Sequence, residues 1–300
     1  MTDILTEFFK EKDVEYKKDV NLSQLSTVKI GGIAKYAVYP DTEEKLICVV
    51  AYLSDAGLKY RVVGGMSNLL PKDSYYDGVI VRTDRLCMWN IEADTVNAAC
   101  GCSIAAVGSA LAGMGLSGFE ELCGIPGRIG GLVYNNAGAN GKEIADSIIS
   151  ARIYDTVTKS IKSYTKEELK LSYRHSVLYE SKNLILLSAA FRLQHDFEEN
   201  IRKKIECYAK KRKQSQPLCH PSLGSVFKRP DGYFAGELIE KAGLKGLSIG
   251  GAEISEKHAG FIVNKGGAKA EDFISLAAIA SDTVYKKFGV KLEMEVEILE

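Results

Sequence analysis

An eighteen-residue tract from Gly124 to Gly141 constrains this chain more than any other feature. It contains six glycines and one proline. Glycine is entropically costly inside a helix or strand, and proline lacks a backbone donor, so we expect neither regular element here. A segment of this kind exposes backbone N–H groups and lets the main chain approach a flat, anionic ligand closely.

A second loop of the same type, Gly64-Gly65-Met66-Ser67-Asn68, follows the strand-like Tyr60–Val63. Two separate backbone loops predict one long dinucleotide rather than a single phosphate. The segment 113–118 has the Rossmann glycine spacing, but it follows a helical pattern, so a helix C-cap and turn is the better interpretation. Lys142 is followed by Glu143 rather than Ser or Thr, so the tract is not a P-loop. We therefore expect a dinucleotide in a non-Rossmann fold.

Composition limits the classes of partner. The 300 residues favour two domains, and 46% hydrophobic with 26% charged residues is typical of globular proteins. With 39 basic and 39 acidic residues the net charge is zero, which argues against a nucleic-acid or membrane-surface binder. The longest apolar run, 184–191, is too short to span a bilayer, and charges interrupt the N-terminal apolar residues, so we expect no signal peptide.

The seven cysteines are odd in number and scattered, which favours reduced thiols in a cytoplasm over a disulfide framework. Cys100-Gly101-Cys102 is compatible with a metal site, although two residues of an ordinary strand are the favoured interpretation. We expect no metal.

Hydrophobic periodicity predicts a chain of mixed helices and strands. The predicted helices are 4–12, 43–55, 103–111, 166–171, 200–214, 234–242 and 270–288. The predicted strands are 61–63, 79–82, 86–91, 96–99, 147–154, 160–164, 184–193, 260–263 and 290–299. The strongly basic helix 200–214 is interpreted as a solvated face rather than a nucleic-acid patch, and it marks the passage between two domains near residue 197.

Seven segments in order along the chain carry a family resemblance. They are 27–32, 65–70, 124–138, 173–176, 221–230, 257–264 and 292–296. Together they resemble the UDP-N-acetylenolpyruvoylglucosamine reductases, flavoenzymes of bacterial peptidoglycan precursor synthesis, in the shorter of the family's two subclasses. The first three are shared with a wider flavin-binding superfamily, and the last four are specific to the reductases. Met66 and Arg128 depart from the family pattern, where glycine and a small residue are common, so the flavin contacts at these two positions stay open.

The resemblance implies an α+β fold, with a non-Rossmann FAD-binding domain of the PCMH/vanillyl-alcohol-oxidase type followed by a C-terminal α/β substrate domain. The FAD domain would span 1–196, with its core from about residue 30, and the UDP-sugar domain 197–300. The implied cofactor is tightly bound, non-covalent FAD, and NADPH is the co-substrate. The implied substrate is UDP-N-acetylglucosamine enolpyruvate, in a bacterial cytoplasm, with no nucleic acid, membrane or obligatory protein partner.

The implied chemistry has two steps, in which NADPH reduces FAD and the flavin then gives hydride to the vinyl carbon of the substrate. Hydride addition to a vinyl group conjugated with a carboxylate creates a doubly charged enolate, which fixed donors must stabilise. The resemblance assigns Arg174 to hold that charge, because a guanidinium binds carboxylate through a rigid fork. It assigns Ser225 to donate the proton.

The third implied catalytic residue is Glu295. Alternation in the last predicted strand puts Glu293, Glu295 and Glu297 on one face and does not choose among them. The resemblance selects Glu295, and we expect a raised pKa if this carboxyl group faces the substrate carboxylate, so that it acts as a hydrogen-bond donor.

Binding residues follow from the same motifs. The expected flavin contacts are Gly64, Gly65, Met66, Ser67, Asn68, Gly124, Ile125, Pro126, Gly127, Gly130, Gly131 and Asn136. The expected substrate contacts are Tyr173, Lys228 and Arg229, and for the last two ordinary surface charge is an equal alternative. His258 is interpreted as structural.

Two other functions stay open at this point. An alcohol or hydroxy-acid oxidase of the wider superfamily often carries a covalent flavin, and Cys123 is the one thiol beside a glycine loop. A non-catalytic flavin or nucleotide-sugar sensor is the other alternative.

Overall fold

The computed structural model describes residues 4–300. Its α-helices are α1 (Ile4–Glu11), α2 (Leu22–Leu25), α3 (Glu43–Asp55), α4 (Ile104–Ala112), α5 (Ile129–Tyr134), α6 (Val177–Glu180), α7 (Glu198–Ser215), α8 (Ala235–Lys241) and α9 (Ala270–Phe288). Its strands are β1 (Glu15–Asn21), β2 (Ile33–Tyr39), β3 (Tyr60–Val63), β4 (Leu69–Pro71), β5 (Tyr76–Arg82), β6 (Trp89–Glu92), β7 (Thr95–Ala99), β8 (Leu116–Ser117), β9 (Gly138–Ala139), β10 (Lys142–Glu143), β11 (Ile148–Asp155), β12 (Ser160–Thr165), β13 (Leu184–Arg192), β14 (Gln194–His195), β15 (Ser222–Ser225), β16 (Ser248–Ile249), β17 (Ala252–Ile254), β18 (Phe261–Asn264) and β19 (Glu297–Leu299).

The chain forms two compact units that alternate along the sequence. The first unit contains the N-terminal residues through Lys18, then Tyr36–Gly65 and Asp77–Lys210. The second contains Asp19–Lys35, Met66–Tyr76 and Lys211–Glu300. The sequence predicts contiguous domains instead, and the functional boundary near residue 197 stays a prediction.

The first unit is built on two sheets. In one, β3 and β5 run parallel, and the strand order is β1-β2-β5-β3. The other is antiparallel, in the order β12-β11-β13-β7-β6, and includes a hairpin of β11 and β12, in which Asp155 pairs with Ser160. Helix α3 buries Leu46, Val49, Val50 and Leu53 in the core of this unit. Apolar residues at helical spacing therefore drive its burial.

The second unit centres on the antiparallel sheet β15-β18-β17-β16. Helices α8 and α9 bury their apolar faces in its core, Leu238 and Ile239 from α8 and Phe273 and Leu276 from α9. Strand β19 pairs in parallel with β4, so that Glu297 lies opposite Leu69.

The prediction that the glycine tract contains no regular element is wrong for residues 129–134, which form α5, and for the short strands β9 and β10. The helix forms because it packs directly against β7. The N–H of Gly130 donates to the carbonyl of Cys100 at 2.7 Å, and a Cβ at Gly130 would lie 3.2 Å from the same oxygen. This close contact offsets the entropic cost of glycine in a helix.

Two further predicted elements are wrong in extent. Residues 166–170 form turns, because Lys170 adopts a left-handed conformation (φ 49°) that stops a helix after one turn. Of the predicted strand 290–299, the last three residues are β19, and before them Met294 makes a single antiparallel bridge with Phe227.

Candidate active site

The two glycine loops meet in the first unit. A Cβ at Gly64 would lie 3.0 Å from Cβ and Cγ of Arg128, and a Cβ at Gly65 would lie 3.7 Å from the carbonyl oxygen of Pro126. The loops are thus neighbours, as one extended ligand requires. A Cβ at Gly131 would meet no heavy atom within 4 Å. Open space therefore adjoins the backbone at Gly131, and at Gly65 a Cβ would make only one ordinary van der Waals contact.

Helix α5 also anchors the turn that carries Arg174. Ser172 and His175 form an antiparallel bridge, with Tyr173 and Arg174 at its tip. The side chain of Asn136, just after α5, donates to the carbonyl of Ser172 at 2.9 Å. The hydroxyl of Ser176 donates to the carbonyl of Tyr134, the last residue of α5, at 2.7 Å. One bond on each side of the turn fixes it to the helix.

Asn136 is fully buried, and its side-chain amide forms hydrogen bonds within the protein. Besides Ser172, its Nδ2 donates to the carboxylate of Glu143 at 2.8 Å, and its Oδ1 accepts the N–H of Ala145 at 2.9 Å. Its backbone is left-handed (φ 39°), a conformation that asparagine tolerates better than most residues. The residue expected near the flavin therefore acts on the Arg174 turn.

The tip of this turn presents an aromatic ring and a cation together. Arg174 has φ 55°, and its guanidinium carbon lies 5.0 Å from the centre of the Tyr173 ring. The ring is exposed, and the Arg174 residue is half-buried. A guanidinium presented on an aromatic face in this way suits a carboxylate ligand.

The second unit holds Ser225 and Glu295 on adjacent segments. Ser225 ends β15, is exposed, and pairs with Phe261 of β18. The next residue, Val226, accepts the N–H of Glu295 at its carbonyl, at 2.8 Å. A register shift lies within β15, where Gly224 has φ 80° and open space around its Cβ position. The glycine therefore permits a backbone conformation that bends the strand just before the serine.

Part of the glycine loop 64–68 also belongs to the second unit. The side chain of Asn68 donates to the carbonyl of Glu295 at 3.1 Å, and the N–H of Glu297 donates to the carbonyl of Asn68 at 3.0 Å. Asn68, Glu295 and the strand of Ser225 are thus connected through backbone bonds. Met66 is buried with φ 49°, a left-handed backbone conformation that glycine would adopt with less strain.

The two expected diphosphate contacts, Lys228 and Arg229, already have neighbours. Lys228 Nζ lies 2.5 Å from the carboxylate of Glu293, so this glutamate neutralises the charge of the lysine. Alternation alone does not separate Glu293 from Glu295, but the ion pair identifies Glu293 as the partner of Lys228. The guanidinium carbon of Arg229 lies 4.5 Å from the centre of the exposed Phe234 ring.

Burial controls the ionisation of two other side chains. It raises the pKa of the Cys123 thiol to about 12. Burial also lowers the pKa of His258, whose Nδ1 accepts the N–H of Gly260 at 3.1 Å. Cys123 is therefore a poor nucleophile, and His258 is a neutral structural residue, in line with the sequence interpretation.

Sequence reasoning missed Arg82 and Asp84, which lie beside the glycine loops. Arg82 Nε donates to Asp84 at 2.8 Å, and Arg82 pairs with Val63, the residue before Gly64. The sequence carries no motif at these two positions, so only the parallel pairing of β3 with β5 identifies them. Among the described residues, no group of three or more His, Cys, Asp or Glu side chains is arranged to hold a metal. No helix within 4–300 is long and apolar enough to cross a membrane.

The open backbone at Gly131 and the nearly open backbone at Gly65 fit a long flat cofactor. A family model described as FAD binding domain matches residues 34–160, which include both glycine loops. The fold and this site define the protein as an FAD-dependent oxidoreductase of the α+β class, with FAD as its cofactor.

A second family model, UDP-N-acetylenolpyruvoylglucosamine reductase, C-terminal domain, matches residues 216–299. The chain is 45% identical to the UDP-N-acetylenolpyruvoylglucosamine reductase of Caldicellulosiruptor saccharolyticus over 96% of this chain and 93% of that one. It is 41% identical to the Clostridium perfringens enzyme of the same name, over 99% and 96%. The crystal structure of the Thermus caldophilus reductase matches with a TM-score of 0.81 at 32% identity, covering 96% and 99%. The chain belongs to the UDP-N-acetylenolpyruvoylglucosamine reductase family, which confirms the resemblance.

Proposed function

We propose that this protein reduces UDP-N-acetylglucosamine enolpyruvate to UDP-N-acetylmuramate for peptidoglycan synthesis, with NADPH as hydride source, in a bacterial cytoplasm. The observation that carries the proposal is the juxtaposition of Ser225 with Glu295 through the Val226–Glu295 backbone bond, in a chain whose relatives bear the reductase name. Residues 1–196 would serve FAD and residues 197–300 the UDP-sugar. The protein acts without nucleic acid, membrane or an obligatory protein partner.

The cofactor loops bind through backbone groups. Bound FAD, once reduced by NADPH, would supply the hydride that adds to the vinyl carbon. The main chain of Gly64, Gly65, Ser67 and Asn68 would hold the diphosphate, and the segments 124–127 and 130–131 would lie beside the ribityl chain and ring. The buried Met66 shapes its loop through its backbone conformation rather than through a polar contact. The high pKa of Cys123 supports non-covalent binding, and it disfavours the alternative of an oxidase with a cysteine-linked flavin.

The residues proposed to act on the substrate lie on the Ser172–His175 turn, on β15 and at Glu295. Arg174, fixed through α5, binds the carboxylate and holds the charge that develops as the enolate forms. Ser225 Oγ gives its proton to the carbon beside the carboxylate, and solvent returns a proton to the serine oxygen. Glu295, protonated, donates a hydrogen bond to the enolate.

The rest of the substrate requires contacts outside the reacting carbon. Tyr173 packs on the enolpyruvyl end beside Arg174. Arg229 binds the UDP diphosphate with Lys228, which exchanges Glu293 for phosphate. That exchange costs little because an ion pair of partly exposed side chains contributes only about 0–1 kcal/mol.

Separate half-reactions of Ser225→Ala test the proposal. NADPH bleaching of the yellow protein should be unchanged, because the serine acts after flavin reduction. Reoxidation by the enolpyruvyl substrate should slow about 10²–10⁴-fold, the usual contribution of a general acid.

The matched control is Ser222→Ala at the other end of β15, which should behave as wild type in both half-reactions. Equal losses in the two half-reactions of Ser225→Ala, or none in reoxidation, contradict the proton-donor role. A wild-type protein that is bleached by NADPH but not reoxidised by the substrate contradicts the reductase function and leaves the sensor alternative.

A further inference from the structure

A charged cluster lies in the first unit beside the glycine loops, formed by Arg82, Asp84 and Arg128. The Arg82 and Asp84 side chains are only 10% and 25% exposed, and they pair at 2.8 Å. Burial alone would raise the pKa of Asp84, but the hydrogen bond and charge of Arg82, together with the charge of Arg128, lower it. The carboxylate is therefore ionised at neutral pH. Two arginines and one aspartate leave the cluster with a net positive charge.

Arg128 extends this positive charge to the glycine loop 64–68. Its Cβ and Cγ would contact a Cβ at Gly64 at 3.0 Å, so the stem of the side chain lies directly on the glycine. Its Nη1 donates to the carbonyl of Gly101 at 3.3 Å. A guanidinium has five N–H donors, and one bond to a carbonyl leaves capacity for an anion.

The cluster sits where a ligand site is expected. Arg82 is the last residue of β5 and pairs with Val63, and Thr83 donates its N–H to the Val63 carbonyl at 3.0 Å. Gly64 follows Val63, so the loop and the cluster share the carboxyl ends of two parallel strands, the edge at which α/β proteins bind ligands. Arg82 Nη1 is buried and has no hydrogen-bond partner among the described residues. An uncompensated buried donor is costly, and a nearby anion reduces that cost.

We propose that Arg128 is a binding residue for the diphosphate of FAD, held over Gly64 with Asp84 and Arg82 as positioning residues. The inference rests on the proposed placement of the diphosphate at Gly64 and Gly65. It adds a side-chain cation to a loop that otherwise binds through backbone N–H groups. A phosphate contact also gives a reason for a large charged residue to lie against a glycine, where a small one would pack more easily.

The test measures FAD release from purified holoenzyme, with flavin fluorescence on dilution as the readout and no substrate present. Arg128→Met keeps the aliphatic stem over Gly64 and removes the charge. It should raise the FAD dissociation constant about 10- to 100-fold, the loss expected for one charge-assisted hydrogen bond. Arg128→Lys keeps the charge without the fork and should fall between. Arg152→Met is the control, because Arg152 pairs with Glu43 at the surface of the same unit, and it should release FAD as wild type does.

A second measurement compares the salt dependence of FAD binding in wild type and in Arg128→Met. The wild-type dissociation constant should rise as KCl increases from about 0.05 to about 0.5 M, because salt screens a partly exposed ion pair, and the Arg128→Met constant should rise less. Equal affinity in wild type and Arg128→Met, equal losses in the Met and Lys variants, or a salt-independent wild type each overturns the inference. None of these results affects the reductase proposal, which depends on reoxidation of the wild-type enzyme by substrate.

Discussion

Replacing Asn136 by alanine should destabilise the first unit far more than an ordinary surface change. The substitution removes a bond to the ionised Glu143 and two bonds to backbone groups, at Ser172 and Ala145. The charged bond contributes about 1.5–3 kcal/mol and each neutral one about 1 kcal/mol. The left-handed conformation adds about 1 kcal/mol for alanine. Because relaxation and water recover part of the sum, we expect the free energy of unfolding to fall by about 3–5 kcal/mol.

Urea unfolding followed by circular dichroism measures this loss. Asn140→Ala is a matched control, since Asn140 also has a left-handed backbone (φ 54°) but is exposed and makes one side-chain bond, to the Glu121 carbonyl at 2.9 Å. Its cost should be about 2 kcal/mol, about 1 kcal/mol for the lost bond and about 1 kcal/mol for alanine in the left-handed conformation. The reasoning is refuted if the two variants lose the same free energy, because burial and the three-bond network would then contribute nothing.

Two further predictions concern ionisation. Because partial burial raises the pKa of Cys123 to about 12, a thiol reagent at about pH 8 should modify it at least about 10³-fold more slowly than the exposed Cys207, as read by mass spectrometry; comparable rates contradict the raised pKa. Burial lowers the pKa of His258 below its ordinary value of 6.5. As the pH falls, His258 therefore takes up a proton in the unfolded chain before it does so in the folded protein. The stability that neutral His258 contributes is thus present above pH 6.5 and is lost on acidification. Urea unfolding at about pH 7.5 and about pH 5.5 should show a smaller decrease in His258→Asn than in wild type, and parallel decreases exclude this origin.

Helices with strong local signals were predictable from sequence. Both α3 and α9 begin and end where periodicity predicts them. Thr42 caps α3 by accepting the N–H of Lys45, and Gly57 follows with φ 61°, while α9 ends at Gly289 with φ 71°. Each boundary is set by residues within one turn of it, and sequence shows such residues directly.

Elements set by distant contacts were not predictable. Helix α5 forms because Gly130 reaches Cys100, a residue 30 positions earlier. Alternation around Glu295 suggests a continuous strand, yet the backbone bonds first to Val226 and then, from Glu297, to Asn68. Alternation reports which face is buried but not which partner provides the bonds, so it misses a segment that changes partners.

The same limit, that sequence patterns do not reveal distant partners, applies to the candidate active site. The family motifs identify Arg174 and Gly64 separately, and neither motif shows that the two segments are connected. Helix α5 connects them. Arg128, immediately before the helix, lies on Gly64, and Tyr134 and Asn136, at its end and just beyond, bind the turn that carries Arg174. A glycine-containing helix of six residues thus connects the Gly64 loop with the turn that carries Arg174, the residue proposed to bind the substrate carboxylate. The two glycines of the helix differ in what they permit: Gly130 allows close packing on Cys100, where a Cβ would lie 3.2 Å from the carbonyl oxygen and the neighbours would have to shift, whereas Gly131 leaves open space beside the backbone that a ligand can approach.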